Sequence, residues 1–112
     1  ELEIKLKALE YTELRFLMAD TRGEGPRAEV SMLKIRGTEI QQELTELSMK
    51  AVGMYAHPYM PEAMEYGWNE DPVGPDLAAV LSPAYFNVRK TSIYGGSNEI
   101  QKNIMAKMVL GL

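Results

Sequence analysis

The chain has 112 residues, 46% of them apolar and 25% charged, with a formal charge of −4 and no cysteine. That length fits one domain with a modest core, and the composition excludes a disordered chain of low hydrophobicity and high charge. The acidic balance argues against nucleic acid as a partner, because phosphates call for a basic patch.

The first segment, Glu1 to Ala19, holds strong helix formers and neither Gly nor Pro. Leu2, Leu6, Leu9, Phe16 and Leu17 form one stripe, with Ile4, Ala8, Tyr11 and Met18 beside it. An apolar face so broad predicts packing against more than one neighbour. The turn residues from Asp20 to Pro26 stop this helix, and Pro26 suits the first position of the next. From there to Tyr55, Val30, Leu33, Gly37, Ile40, Leu44, Leu47, Ala51 and Met54 are spaced alternately three and four apart. This predicts a heptad seam on one long helix of about 45 Å. Gly37 on the seam points to close approach of a neighbouring backbone, and His57-Pro58 ends the helix.

Between His57 and Val88 there is no Lys or Arg, against Glu62, Glu65, Glu70, Asp71 and Asp76. Pro61, Pro72, Pro75 and Pro83 lie here too, with Gly67, Gly74 and the single Trp68. Its aromatics, Tyr59, Tyr66, Trp68, Tyr85 and Phe86, favour an ordered covering segment, with a short helix from Pro83 to Thr91. The last segment reverses the charge with Arg89, Lys90, Lys102 and Lys107. Ser97 is a natural N-cap for a final helix from Asn98 to Leu110, carrying Ile100, Ile104 and Met108 on one stripe. The sum is an all-α, up-and-down helical bundle of three main helices and a short one. No apolar run approaches the roughly 20 residues of a membrane span, and nothing resembles a signal peptide. The lack of cysteine suits a reducing, cytoplasmic compartment. The chain opens at Glu1 inside a helical pattern, and so reads as a piece of a longer protein.

Few residues offer chemistry. A carboxylate-bridged di-iron bundle needs Glu-x-x-His pairs, and the single histidine, His57, has Met54 three positions before it. It reads as a turn residue, and no metal site is expected. Glu39, Glu43 and Glu46 lie off the seam and read as a solvated face. Met54, Met105 and Met108 fall at helical core positions and read as ordinary packing. What remains is Tyr94-Gly-Gly-Ser-Asn-Glu99. Two glycines before a capped helix leave backbone N–H groups at a positive dipole end, where phosphate or pyrophosphate binds and glycine permits close approach. Arg89 and Lys90, just upstream, add positive charge. Two readings stand for this loop, an anion cradle or simply a capped helix start.

The run Thr91 to Leu112, with Ile93-Tyr94-Gly95-Gly96-Ser97-Asn98-Glu99-Ile100-Gln101 at its heart and Leu110-Gly-Leu112 at its end, resembles the C-terminal signature of the acyl-CoA dehydrogenase family. The layout of Glu1 to Ala19, of the turn with Gly23 and Gly25, and of Ser31-Met-Leu-Lys34 is similar as well. The resemblance implies that residues 1–112 are the C-terminal helical-bundle domain of an FAD-dependent flavoprotein of fatty acid metabolism. Members of that family oxidise the Cα–Cβ bond of an acyl-CoA thioester to the trans-2-enoyl-CoA. A carboxylate removes the α-proton while the β-hydrogen leaves as hydride to the flavin. By position, the resemblance implies that Gly96 and Tyr94 lie beside substrate and that Ser97, Asn98 and Glu99 contact FAD. It also implies an electron-transfer partner and a homodimer or homotetramer. Two departures stand out. Gly95 occupies the position of the usual catalytic glutamate, so no catalytic residue is expected in this stretch, and a non-catalytic partner subunit is the alternative. At Ala51-Val-Gly-Met-Tyr55, only Gly53 survives of a paired-glycine motif that contacts the FAD of a neighbouring subunit.

Overall fold

The computed structural model describes residues 1–23, 28 and 30–112. It is all-helical: α1 (Leu2–Thr21), α2 (Val30–Val52), α3 (Ala78–Val88) and α4 (Asn98–Val109), with 3₁₀ turns at Gly53–Ala56, Pro61–Met64 and Arg89–Ser92. No strand occurs among the described residues. The expectations that Pro26 opens α2 and that Gly25 helps to form the preceding turn fall outside them. The chain divides into two compact units, residues 1–41 with 90–112, and residues 42–89.

In the first unit, α1 runs without Gly or Pro to a turn in which the Arg22 and Gly23 N–H groups donate to Ala19 O and Asp20 O. Its covered side is narrower than the sequence predicts. Leu2, Leu9, Phe16 and Ala19 are half-buried, whereas Ile4, Leu6, Tyr11, Leu17 and Met18 are exposed. Leu9 packs against Gly37, and the expectation of a close backbone neighbour there is corrected. Among the described residues, a Cβ at Gly37 would meet only Leu9 Cδ2, at 3.8 Å, an ordinary contact with a side chain. With space available and helical backbone in place, Gly37→Ala is expected to stabilise the fold by about 0.5–1 kcal/mol. A urea unfolding midpoint lower than that of the parent would refute this.

The predicted heptad seam is covered only in part, at Leu33, Gly37 and Ile40, which are half-buried. Leu44, Leu47, Ala51 and Met54 are exposed, while Ile35 and Thr38 are buried and Gln42 and Thr45 half-buried. A second covered row, formed by Ile35, Thr38, Gln42 and Thr45, is offset from the seam and largely polar. It is tolerable because its polar atoms are satisfied: Thr38 Oγ1 donates to Lys34 O at 2.7 Å and Thr45 Oγ1 to Gln42 O at 2.9 Å. The helix also stops at Val52 rather than Tyr55, passing into a 3₁₀ turn at Gly53. On α4, Ile104 and Met105 are half-buried but Ile100 and Met108 are exposed. Met54 and Met108, at more than 70% exposure each, are therefore not core residues of this chain.

In the second unit, α3 packs on the turns at Gly53–Ala56 and Pro61–Met64. Ala56, Ala78 and Ala79 are buried there, and their small side chains allow the close approach. The helix begins at Ala78, five residues before the predicted start, and Pro83 lies inside it. At the sixth helical position Pro83 lies beyond the first turn that suits proline, and it deprives α3 of one backbone hydrogen bond. Among the aromatics of the expected cover, Tyr59, Tyr66 and Phe86 are exposed and Trp68 is half-buried. The ring of Tyr55 occupies the place where a Cβ on Gly74 would stand.

Arg89 closes α3. Its Nη2 donates to Gln42 O at 2.9 Å and to Thr45 Oγ1 at 3.4 Å, its guanidinium lies 4.3 Å from the Tyr85 ring centre, and Gln42 Nε2 donates back to Arg89 O at 3.3 Å. This cation is engaged on the second half of α2.

Candidate functional site

The glycine loop is built from its two ends inward. On the upstream side, the N–H groups of Ile93 and Tyr94 both donate to Lys90 O, closing a turn. On the downstream side, Ser97 caps α4, its hydroxyl accepting from the Ile100 N–H at 3.4 Å. Between them, Gly95 and Gly96 stand at φ +66° and +84°, left-handed values that residues with a Cβ adopt only at a cost. The two differ in surroundings. A Cβ on Gly95 would enter open space, whereas one on Gly96 would lie 2.6 Å from Gln101 Nε2. That same Nε2 donates to Gly95 O at 3.2 Å, bracing the loop from one turn inside α4.

Among the described residues, the backbone N–H groups of Gly95, Gly96, Ser97 and Asn98 have no backbone acceptor. Successive uncommitted N–H groups in left-handed turn geometry at a helix start form a concavity suited to an anion. The nearby cation is one that local sequence reasoning misses: the Lys34 ammonium, on α2, donates to Asn98 Oδ1 at 2.8 Å. Its 64-residue separation from Asn98 leaves no local pattern that would announce the pairing.

Glu99, in the first turn of α4, has its carboxyl held below the ordinary carboxylate range. The largest cause is a hydrogen bond from its own backbone N–H, followed by one from the Ser97 hydroxyl, with smaller pulls from Lys102 and Lys34. A folded-state value below the unfolded one means that the contribution to stability is present above the unfolded pKa and is lost as pH falls through the folded one. Amide-exchange protection at Ile100 and Gln101 is therefore expected to hold from neutral pH down to the ordinary carboxylate range and to decline below it. In Glu99→Gln the decline should flatten; an unchanged profile would count against the assignment.

The predicted site residues Tyr94, Gly96, Ser97, Asn98 and Glu99 thus form one continuous stretch of the first unit, with Tyr94 exposed and Ser97 and Asn98 half-buried. Gly53, the remaining predicted contact, opens a 3₁₀ turn in the other unit at φ +56°, with no described residue within 4 Å of its Cβ position. No grouping of three His, Asp or Glu side chains apt for a metal occurs among the described residues, and none of their helices is long and apolar enough to cross a membrane.

The family model for the C-terminal domain of acyl-CoA dehydrogenase matches residues 1–110. The chain belongs to this family. Membership covers α1 to α4 together with the glycine loop, and the all-helical architecture agrees with it. No curated protein and no solved structure matches the chain significantly. Within this acyl-CoA dehydrogenase C-terminal domain, the glycine loop offers four successive backbone N–H groups with no backbone acceptor among the described residues.

Proposed function

We propose that the chain is the C-terminal helical domain of an FAD-dependent acyl-CoA dehydrogenase, and that Gly96, Ser97, Asn98 and Glu99 form part of its cofactor surface. The observation that carries this reading is the pair of left-handed glycines opening a capped helix, in a chain of that family. The residues fit the group. Four backbone N–H groups suit a phosphate or another oxygen acceptor, the unfilled Cβ space of Gly95 admits a ligand, and the ionised Glu99 suits a ribose or ribityl hydroxyl. When bound, FAD supplies the acceptor for the hydride leaving the acyl β-carbon. The chain's own part is to hold and orient, with Tyr94 and Gly96 beside the acyl-CoA substrate and Gly53 available to a flavin of a neighbouring subunit. The exposed apolar residues Ile4, Leu6, Leu44 and Leu47 support a homodimer or homotetramer. An electron-transfer partner and a cytoplasmic location complete the reading.

Gly95 has no group that can take a proton, and at φ +66° a glutamate would bear left-handed strain of about 1–2 kcal/mol. The catalytic base of this reaction is therefore assigned outside residues 1–112. The same glycine favours a second reading, a non-catalytic partner subunit of a heteromeric dehydrogenase.

The test is spectroscopic. Full-length protein is expected to retain FAD and to have its flavin absorbance bleached by an acyl-CoA, while residues 1–112 alone stay redox-silent. Bleaching only after a second chain is added supports the partner-subunit reading. Full-length protein that never binds FAD overturns both.

A further inference from the structure

Lys34 and Asn98 are both half-buried, and the 2.8 Å contact joins the first half of α2 to the first residue of α4. An ammonium has three donors and no acceptor, so the Asn98 atom that faces it must be the amide oxygen. This settles which end of the amide is which, an assignment that otherwise rests on inference. The other end, Nδ2, carries two N–H donors and has no acceptor among the described residues. Asn98 therefore adds a donor to the donors of the glycine loop. Were Oδ1 uncommitted, the amide would be able to turn and present an acceptor, which electron-rich oxygens repel.

Resting on the flavin reading above, we infer that Lys34 is a positioning residue for the cofactor. By engaging Oδ1 it commits Asn98 to offering its NH₂ group to an oxygen acceptor of the flavin nucleotide. Lys34 acts through Asn98, not by attracting the cofactor with its own charge, and the two routes are separable by experiment.

FAD is titrated into the full-length apoprotein and followed by quenching of flavin fluorescence, with thermal unfolding of each apoprotein alongside. Lys34→Met and Asn98→Ala are each expected to weaken FAD binding by about three- to tenfold. The double variant should bind no more weakly than Asn98→Ala alone, because Lys34 then has nothing left to orient. Asn98→Asp keeps an acceptor for Lys34 and puts a carboxylate in the first turn of α4. Its unfolding midpoint should hold or rise while FAD affinity falls by about tenfold or more, and it serves if Lys34→Met fails to fold. Single effects that multiply, or Asn98→Asp binding FAD as the parent does, overturn the inference when Gly96→Val still weakens FAD. Affinity left intact in Gly96→Val as well brings down the flavin reading itself.

Discussion

Gly96→Val in the full-length protein is expected to lower FAD occupancy by about tenfold or more with little change in helix content. Two obstacles meet at this residue. Its backbone is left-handed at φ +84°, which costs a residue bearing a Cβ about 1–2 kcal/mol, and valine is branched at that atom. The Cβ would also stand 2.6 Å from Gln101 Nε2, the atom that holds Gly95 O. Relief requires either rotating the backbone out of the left-handed region or displacing Gln101. The first dismantles the arrangement of N–H groups and the second frees Gly95 O from the flexible Gln101 side chain, neither of them unwinding α4, whose cap is Ser97. Gly95→Ala is the control, with a similar backbone cost but open space around its Cβ. Flavin-to-protein ratio after gel filtration, read beside far-UV circular dichroism, checks the pair. Full flavin content in Gly96→Val would remove the loop from the cofactor surface.

Arg89→Met is expected to cost about 2–4 kcal/mol of stability, the largest single loss outside the loop. The side chain is half-buried and makes two charge-assisted contacts to α2, at Gln42 O and Thr45 Oγ1, while lying over Tyr85. Methionine preserves the stem but leaves Gln42 O and the Tyr85 face without the guanidinium. Arg89→Lys should recover less than half of the loss, since one compact ammonium cannot both reach the α2 carbonyl and lie flat on the ring. Urea unfolding reads the difference, and an unshifted midpoint for Arg89→Met would show that the clamp is dispensable.

The long helices were legible because apolar residues recur at helical spacing in α1, α2 and α4 and because Ser97 marks a helix start through its own chemistry. The polar row of α2 was not, because Thr38, Gln42 and Thr45 lie off the apolar seam and only a partner such as Arg89, 44 to 47 residues away for the last two, makes them inward-facing. The start of α3 was missed because Pro83 reads as an initiator when its five helical predecessors are not seen. In the site, the glycines and the capped start were visible, while the Lys34 contact to Asn98 requires the fold to bring α2 and α4 together. The exposure of Met54 and Met108 was hidden because helical spacing identifies a face without saying what, if anything, lies opposite it.

The brace from Gln101 to Gly95 joins a loop and a helix that would otherwise respond separately. Thermodynamic reciprocity then gives the first turn of α4 a reporting role: a ligand that favours the braced loop must slow the opening of that turn, by the same factor with which fraying of the turn weakens the ligand. Occupancy of this surface is thereby readable from solvent exchange at a handful of amides, with no chromophore and no turnover required.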